Sequence, residues 1–369
     1  MSELFLGMIS GTSVDGVDAV VAEFGDRSCR IVAANTYPYP DSLRMRLDTL
    51  IRNPAISLAD LGSLDIACGR FFADAALASI DEIGCQAEDI TAIGHHGQTV
   101  FHAPTGPEPF TMQLGNAATV AARTGIATVG HIRDLDMALD GEGAPMVPAF
   151  HKWLFADKQA ARVVANIGGI GNITTLPGHG AVVGFDTGPG NTLLDLWIDR
   201  CRGEKYDADG AWAGTGKVVP QLLDALLDEA YFSAPPPKST GRELFNEEWL
   251  NTRLAAAGSH CPAADVQRTL LELTAVTLTR SVTEQKLSNA ELLVCGGGAH
   301  NSQLMDRISQ LHTGPVNSTS SAGLHPDWVE AAAFAWLARA RLRKEPGNVP
   351  TVTGARQEAV LGGLYCGRI

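Results

Sequence analysis

The 369-residue chain lacks several features that mark broad classes of protein. Only 19% of its residues are charged and 45% are hydrophobic, a composition that excludes a disordered chain. Its seven cysteines are scattered, odd in number and never spaced as Cys-x-x-Cys, which disfavours a disulfide framework or a zinc knuckle. The length suffices for about two domains, so we expect a core that needs neither metal nor disulfide staples.

Basic residues and long apolar runs are also scarce. The chain has 28 Lys and Arg against 41 Asp and Glu, so we expect neither a general nucleic-acid binder nor a binder of anionic membranes. The longest uncharged stretch, residues 163–185, contains six glycines and a proline and therefore predicts no membrane helix. The first residues lack a basic region and a cleavage site, which together with the cysteine usage indicates a cytoplasmic location.

The two halves of the chain repeat one order of predicted elements. Each opens with a buried strand, a loop of glycine and small polar residues (10–16 and 168–172), and a second strand. Alternating strands and helices follow, including helices at 57–83, 218–232, 264–287 and 328–343. We expect two α/β domains around a common cleft: residues 1–134, completed by the tail 345–369, and residues 135–344.

Glycine-rich turns end five of the predicted strands. Glycine lets backbone N–H groups approach phosphate oxygens, but no turn matches the dinucleotide fingerprint or the Walker loop. Each turn alone is more often structural, whereas several in one chain favour a nucleotide site without a Walker loop. The turns lie at residues 11–16, 141–143, 168–172, 188–191 and 296–301.

A set of motifs covers essentially the whole chain in order. The segments are residues 8–18, 94–99, 143–151, 166–169, 185–191, 237–243, 295–299 and 330–338. Each motif alone is only modestly specific, but the whole set is specific and resembles that of the anhydro-N-acetylmuramic acid kinases. That family belongs to the sugar-kinase, heat-shock chaperone and actin superfamily. The resemblance implies two ribonuclease-H-like domains flanking an ATP cleft, the actin-like ATPase fold. It also implies ATP-dependent conversion of 1,6-anhydro-N-acetylmuramic acid and water to N-acetylmuramic acid 6-phosphate in peptidoglycan recycling.

The resemblance assigns roles to individual residues. Asp186 is the expected general base for the water that attacks C1, after which the departing O6 takes the γ-phosphoryl group. Its alternative role is to cap the next helix or to brace the glycine turn. Asp15 and Asp18 are expected to hold hydrated Mg²⁺, although Asp15-Gly16 is equally typical of an ordinary turn. The expected ATP-binding residues are Gly11, Thr12, Ser13, Val14, Asp15, Gly16, Val17, Asp18, Gly168, Gly169, Asn172, Gly296, Gly297 and Gly298.

Four residues are candidates for binding the sugar: His96, Gln98, Arg133 and Glu330. A short strand at 90–94 places the first two at a strand end, and a structural role is expected for His95. Arg133 could instead form a surface ion pair with Asp134 or Asp136. No metal site built from protein ligands alone is predicted.

Three further features leave alternatives open. Glu330 could serve a capping box in which Asp327 is the N-cap. His131 stands where the family usually has an acidic residue, which bears on how Arg133 is held. Domain closure is expected to hinge near Gly141 and Gly143 and near the start of the last helix, unless these glycines form a rigid turn.

The sequence is also compatible with two rival functions. One is a levoglucosan-type anhydrosugar kinase, and the other, less favoured, is an actin- or chaperone-like ATPase. The short tail after residue 343 leaves little room for the peptide-binding domain that such ATPases usually add. We expect a small anhydro amino sugar as partner, with no nucleic acid and no membrane, and leave a homodimer open.

Overall fold

The computed structural model describes residues 3–11, 13–258 and 261–367. The chain divides into two compact units: unit 1 comprises residues 1–154 and 328–369, and unit 2 comprises residues 155–327. Residues 135–154 and 328–344, expected in the second domain, thus fall in unit 1. Among the described residues, no helix is long and apolar enough to cross a bilayer.

Both units combine strands and helices. The strands are β1 (Leu4–Ser10), β2 (Gly16–Phe24), β3 (Cys29–Pro38), β4 (Ile90–Ala103), β5 (Phe110–Leu114), β6 (Thr128–Gly130), β7 (Arg162–Ile167), β8 (Ile170–Leu176), β9 (Val183–Pro189), β10 (Glu291–Cys295), β11 (Val316–Ser318) and β12 (Gly363–Tyr365). The helices are α1 (Asp41–Arg52), α2 (Leu58–Asp81), α3 (Ala117–Thr124), α4 (Asp134–Ala138), α5 (Val147–Phe155), α6 (Thr192–Arg202), α7 (Pro220–Leu227), α8 (Ala230–Ser233), α9 (Glu247–Ala256), α10 (Ala263–Glu284), α11 (Ser302–Leu311), α12 (Val329–Arg343) and α13 (Pro350–Thr353).

The two sheets share one topology. In unit 1 the order is β12-β6-β4-β1-β2-β3, with β5 paired to β4. Its β1–β2 and β2–β3 pairs are antiparallel, whereas β1–β4 and β4–β6 are parallel. Unit 2 repeats this pattern in the order β11-β10-β7-β8-β9. This arrangement confirms the expected ribonuclease-H-like α/β fold and the internal repeat.

Two glycines explain why α12 belongs to unit 1. Gly7 of β1 and Gly94 of β4 lie directly opposite each other in the parallel pair. A Cβ atom at either position would overlap the backbone of α12, at the carbonyl oxygens of Ala331 and Phe334 respectively. The missing side chains therefore create the groove in which α12 packs on the sheet.

Helix α2 packs against the unit 1 sheet through buried apolar side chains. The Ser57 side chain accepts a hydrogen bond from the backbone N–H of Asp60, which confirms the predicted start of this helix. Leu64 and Phe72 of α2 pack in one buried cluster with Leu6 and Met8 of β1. In unit 2, α10 corresponds to the helix predicted at 264–287, and its Leu270 and Leu273, three residues apart on one helix face, are buried.

Two predictions of local structure were wrong. The strand at 90–94 continues to Ala103, because β5 pairs with its second half beyond Gly97, whose φ is +80°. The helix at 218–232 is interrupted between α7 and α8. The tail 345–369, expected to complete the first domain, contains α13 and contributes β12 to the edge of the unit 1 sheet.

The segment expected to act as a hinge forms a bonded turn inside unit 1. The backbone N–H of Gly143 donates to the Oδ2 atom of Asp136 at 2.9 Å, and that of Gly141 donates to the Asp136 carbonyl. The other carboxylate oxygen of Asp136 accepts from Asn348 and Thr353. These hydrogen bonds favour the rigid-turn alternative for this segment.

Candidate functional site

Asp186 is held by three hydrogen bonds in unit 2. It lies half-buried on β9, and its backbone N–H donates to the carbonyl of Lys238 at 3.2 Å. The Thr240 N–H donates to its Oδ2 atom at 3.0 Å, and the Tyr231 hydroxyl donates to its carbonyl at 2.7 Å. The N-cap of α6 is Asn191, so Asp186 does not cap that helix.

The surroundings of Asp186 suit a general base. Burial raises the pKa of its carboxyl to about 6, the Thr240 N–H opposes the change, and Glu243 adds to it. A carboxylate with a pKa near 6 is ionised at neutral pH and still accepts a proton readily.

A glycine turn lies beside Asp186. Asn172 of β8 is the cross-strand partner of Asp186, and Gly168 and Gly169 precede it in the turn between β7 and β8. The N–H groups of Asn191 and Thr192 donate to the carbonyls of these two glycines at 2.8 and 3.0 Å. The structure thus brings Gly168, Gly169 and Asn172 together with Asp186.

A second glycine turn of unit 2, residues 296–298, lies at the same end of the sheet as the turn between β7 and β8. Cys295 at the end of β10 pairs with Asn166 of β7. Gly296 has a φ of +78°, and a Cβ there would overlap the Asn166 side chain. The Asn191 amide donates to the Ile167 carbonyl and lies 3.6 Å from the Cβ position of Gly297. Asn191, missed as a site residue, therefore connects both glycine turns.

In unit 1, the first loop rests on Gln98. The Ser10 hydroxyl donates to the Gln98 side-chain oxygen, and the Gln98 amide donates to the Gly11 carbonyl at 3.2 Å. Gln98 is 1% exposed, and it lies within β4 rather than at a strand end. Gln98 therefore holds the loop in place through these hydrogen bonds. Ser10 was not foreseen in this role.

The remaining loop residues lie in different environments. Ser13 is exposed, and Thr12 lies outside the described residues. The side chains of Val14 and Val17 pack in the core, so only their backbone groups are available to a ligand. A Cβ on Gly16 would overlap the Tyr37 carbonyl, which explains glycine there.

The two aspartates expected to share a cation are engaged differently. Asp15 is exposed and pairs with Arg44 of α1 at 2.9 Å. Asp18 is half-buried on β2, accepts a hydrogen bond from Thr36 at 2.6 Å, and raises the pKa of Glu330. Asp18 therefore interacts electrostatically with Glu330, whereas Asp15 pairs with Arg44.

Arg133 is fixed by two neighbours. Its Nε and Nη2 atoms donate to Nε2 of His96 at 3.0 and 2.8 Å, and Nη1 donates to the Gly143 carbonyl at 2.8 Å. Burial lowers the pKa of Arg133 to about 10, with Glu330 and Asp136 opposing the change. Asp134 pairs instead with His131 at 3.4 Å, so the surface ion pair is wrong for Arg133.

Glu330 is not a capping residue. The N-cap of α12 is Trp328, which makes no side-chain cap bond, and Asp327 accepts a hydrogen bond from His300 at 2.7 Å. The Glu330 side chain is open to solvent, yet desolvation raises its pKa, Asp18 adds to this and Arg133 opposes it. Accessibility together with desolvation is typical of a side chain in a concave surface.

A cavity of about 340 Å³ in unit 1 is lined in part by His96, the residue that accepts hydrogen bonds from Arg133. Its lining includes Asp65, His95, His96 and His131. Both ring nitrogens of His95 have backbone partners, at Gly97 and Gly115, and burial lowers its pKa to about 4. His95 is thus structural, as expected.

The residues that surround Asp186 belong to the motif at 237–243, which by itself assigns them no role. Residues 238–243 lie more than 50 positions after Asp186, and Thr240 and Asp186 are 54 positions apart. A Cβ at Gly169 would lie 3.9 Å from the guanidinium of Arg242, so this arginine also faces the glycine turn. Their presence in the motif was the only available clue.

Comparison with known proteins identifies close relatives. Residues 3–367 match the family described as "Anhydro-N-acetylmuramic acid kinase". Proteins of that name from Saccharophagus degradans and Vibrio cholerae are 47% and 48% identical over 366 and 365 residues, covering 98% of each chain. Among solved structures, the activator of 2-hydroxyisocaproyl-CoA dehydratase from Clostridium difficile covers 92% of this chain and 96% of its own, with 11% identity and a TM-score of 0.47.

Proposed function

Because the chain belongs to the anhydro-N-acetylmuramic acid kinase family, we propose that it converts 1,6-anhydro-N-acetylmuramic acid, water and ATP to N-acetylmuramic acid 6-phosphate and ADP. The reaction serves peptidoglycan recycling in the cytoplasm, where ATP is available. Relatives at 44–48% identity and 98–99% coverage of this chain carry the kinase name, so the rival functions are not favoured.

The environment of Asp186 is the observation that carries the mechanism. The Thr240 N–H holds Oδ2, and none of the described residues donates a side-chain or backbone hydrogen to Oδ1. Oδ1 accepts a proton from the water as the water oxygen bonds to C1 and the C1–O6 bond breaks. O6 then bonds to the γ-phosphorus while ADP departs, so one carboxylate suffices on the base side.

Unit 1 supplies groups that recognise the sugar. Arg133 presents a guanidinium fixed by His96 and Gly143, suited to a carboxylate or an ether oxygen. Glu330 is solvent-accessible and accepts hydrogen bonds from sugar hydroxyls. Their closeness matters, because the positive charge of Arg133 stabilises the ionised form of Glu330.

The glycine turns suit the ATP phosphates. We assign the backbone N–H groups near Gly11, Gly168 and Gly169 to the β- and γ-phosphates, and Gly296 to Gly298 to the adenosine side. Arg242, beside Gly169, adds a positive charge to the same turn.

The donor chemistry in unit 1 fits Mg²⁺. The Asp18 carboxylate is near enough to Glu330 to raise its pKa, so a cation beside Asp18 would relieve repulsion between the two. No group of three or more acidic, histidine or cysteine side chains among the described residues could hold a metal alone. This is typical of Mg²⁺, which retains waters and binds phosphates. Bound there, it would neutralise charge on the transferring phosphoryl group.

The test is turnover in ¹⁸O-water with product analysis by mass spectrometry. Label is expected at C1 of the sugar and not in its phosphate, whereas label in the phosphate would mean attack at phosphorus. Asp186→Asn should lower turnover by at least about 100-fold while leaving ATP binding intact. Asp199→Asn, at an exposed position of α6, is the matched control and should turn over normally.

A further inference from the structure

One buried hydroxyl in unit 2 has no partner. The side-chain oxygen of Thr240 is buried and makes no hydrogen bond to any described residue. Buried polar atoms in folded proteins are nearly always paired, so an unpaired one requires an explanation. Thr192 and Thr319 also have unpaired buried hydroxyls, but of these three threonines only Thr240 bonds directly to Asp186.

The backbone of Thr240 determines where this hydroxyl lies. Its N–H is 3.0 Å from Oδ2 of Asp186. The hydroxyl oxygen is separated from that nitrogen by only two carbon atoms. The hydroxyl of Thr240 therefore lies within a few ångströms of the atom that contacts the Asp186 carboxyl.

The loop that carries Thr240 is anchored through Lys238, by its side chain and by its carbonyl. Lys238 donates to the carbonyls of Tyr231 and Phe232 at 3.2 and 3.3 Å, and its ammonium lies 4.9 Å from the centre of the Tyr231 ring. The Lys238 carbonyl in turn accepts from the Asp186 N–H. The position of Thr240 relative to the carboxyl is thus determined by several contacts.

We propose that Thr240 is a further catalytic residue whose hydroxyl oxygen binds the water that Asp186 deprotonates. This rests on the proposed function of Asp186. The water donates one O–H to Oδ1 of Asp186 and the other to the Thr240 hydroxyl, which leaves a lone pair for C1. As the water oxygen bonds to C1 and the C1–O6 bond breaks, the first proton passes to Asp186. Thr240 is unchanged by the step, and two acceptors orient the nucleophile.

The experiment compares variants of Thr240 in the full-length enzyme. Thr240→Val keeps the shape and the backbone N–H but removes the hydroxyl, and should lower kcat by about 10- to 100-fold with little change in KM for ATP. Thr240→Ser should restore kcat to within about threefold. Ser239→Ala removes the exposed hydroxyl next to it and should be neutral.

Thr240→Ala separates catalysis from packing. The smaller side chain leaves room for a second water that replaces the hydroxyl, so alanine should be less harmful to kcat than valine. A packing role predicts the reverse order, because valine fills the space of threonine. The acid limb of the pH profile should not move in Thr240→Val, since the N–H that holds Asp186 remains.

Two outcomes would overturn the assignment: near-wild-type kcat in Thr240→Val, or a greater loss in the alanine than in the valine variant. Asp186→Asn is measured in parallel. If it is inactive while Thr240→Val is normal, only the Thr240 assignment falls. If Asp186→Asn is active, the proposed base falls as well.

Discussion

Arg133 and His96 bind each other through a charged donor and a neutral acceptor. Two nitrogens of the guanidinium donate to Nε2 of His96, and the other ring nitrogen, Nδ1, faces the Gly97 carbonyl at 2.9 Å. Burial and the charge of Arg133 both hold the pKa of His96 well below its usual range. His96 is therefore an uncharged acceptor that orients Arg133, rather than an acid or a base.

This pair leads to a prediction for His96→Phe. Phenylalanine fills similar space without an acceptor, so two guanidinium N–H groups lose their partner. We expect kcat/KM for the sugar to fall by about 10- to 100-fold, because hydrogen bonds to charged groups contribute about 1.5–3 kcal/mol. Steady-state kinetics with varied sugar would measure it, and unchanged kcat/KM would refute it. His102→Ala, at an exposed position on the same strand, should have no effect.

Glu243 is expected to contribute to the pH dependence of the enzyme through its effect on Asp186. The pKa of Asp186, about 6, is raised first by burial and further by Glu243. Activity should therefore fall as pH drops through about 6, when the base becomes protonated. Glu243→Gln removes the like charge and should move this acid limb to lower pH. An unmoved or rising limb in kcat against pH would contradict the assignment.

Asp186 should also destabilise the fold above its unfolded pKa. Its pKa is raised from 3.8 to about 6 on folding, so the unfolded chain ionises first, and stability is lost as pH rises through this interval. Asp186→Asn escapes the loss because asparagine does not ionise and can still accept from the Thr240 N–H. The gain in Tm over wild type should be larger at pH 8 than at pH 4. Equal gains at both pH values would show that the carboxyl is not desolvated.

The Gly7–Gly94 groove yields a prediction about stability. Gly94→Ala forces a Cβ into the Phe334 carbonyl and should lower the free energy of unfolding by about 1–3 kcal/mol or more. Gly62→Ala is the control: Gly62 lies inside α2 with open space around its Cβ position, so alanine should stabilise by about 0.5–1 kcal/mol. Urea unfolding of both variants would measure the difference. Equal effects would mean that α12 can move away from the sheet.

Local patterns in the sequence determined much of the molecule. The glycine-rich turns, the Ser57 start of α2, the apolar spacing of α10 and the repeated order of elements were all readable, because each depends on residues close in the chain. The resemblance of ordered motifs supplied the family and singled out Asp186, Arg133 and Glu330.

Tertiary structure decided which distant residues meet. Packing of α12 over Gly7 and Gly94 placed this helix in unit 1, which no local pattern could indicate. The contact between Asp186 and Thr240 spans 54 positions and follows from the path of one loop. Val17 likewise packs in the core, although its place in a loop motif suggested a contact with the ligand. Side-chain spacing reports the local conformation, whereas these contacts depend on how sheets and helices exclude one another's volume.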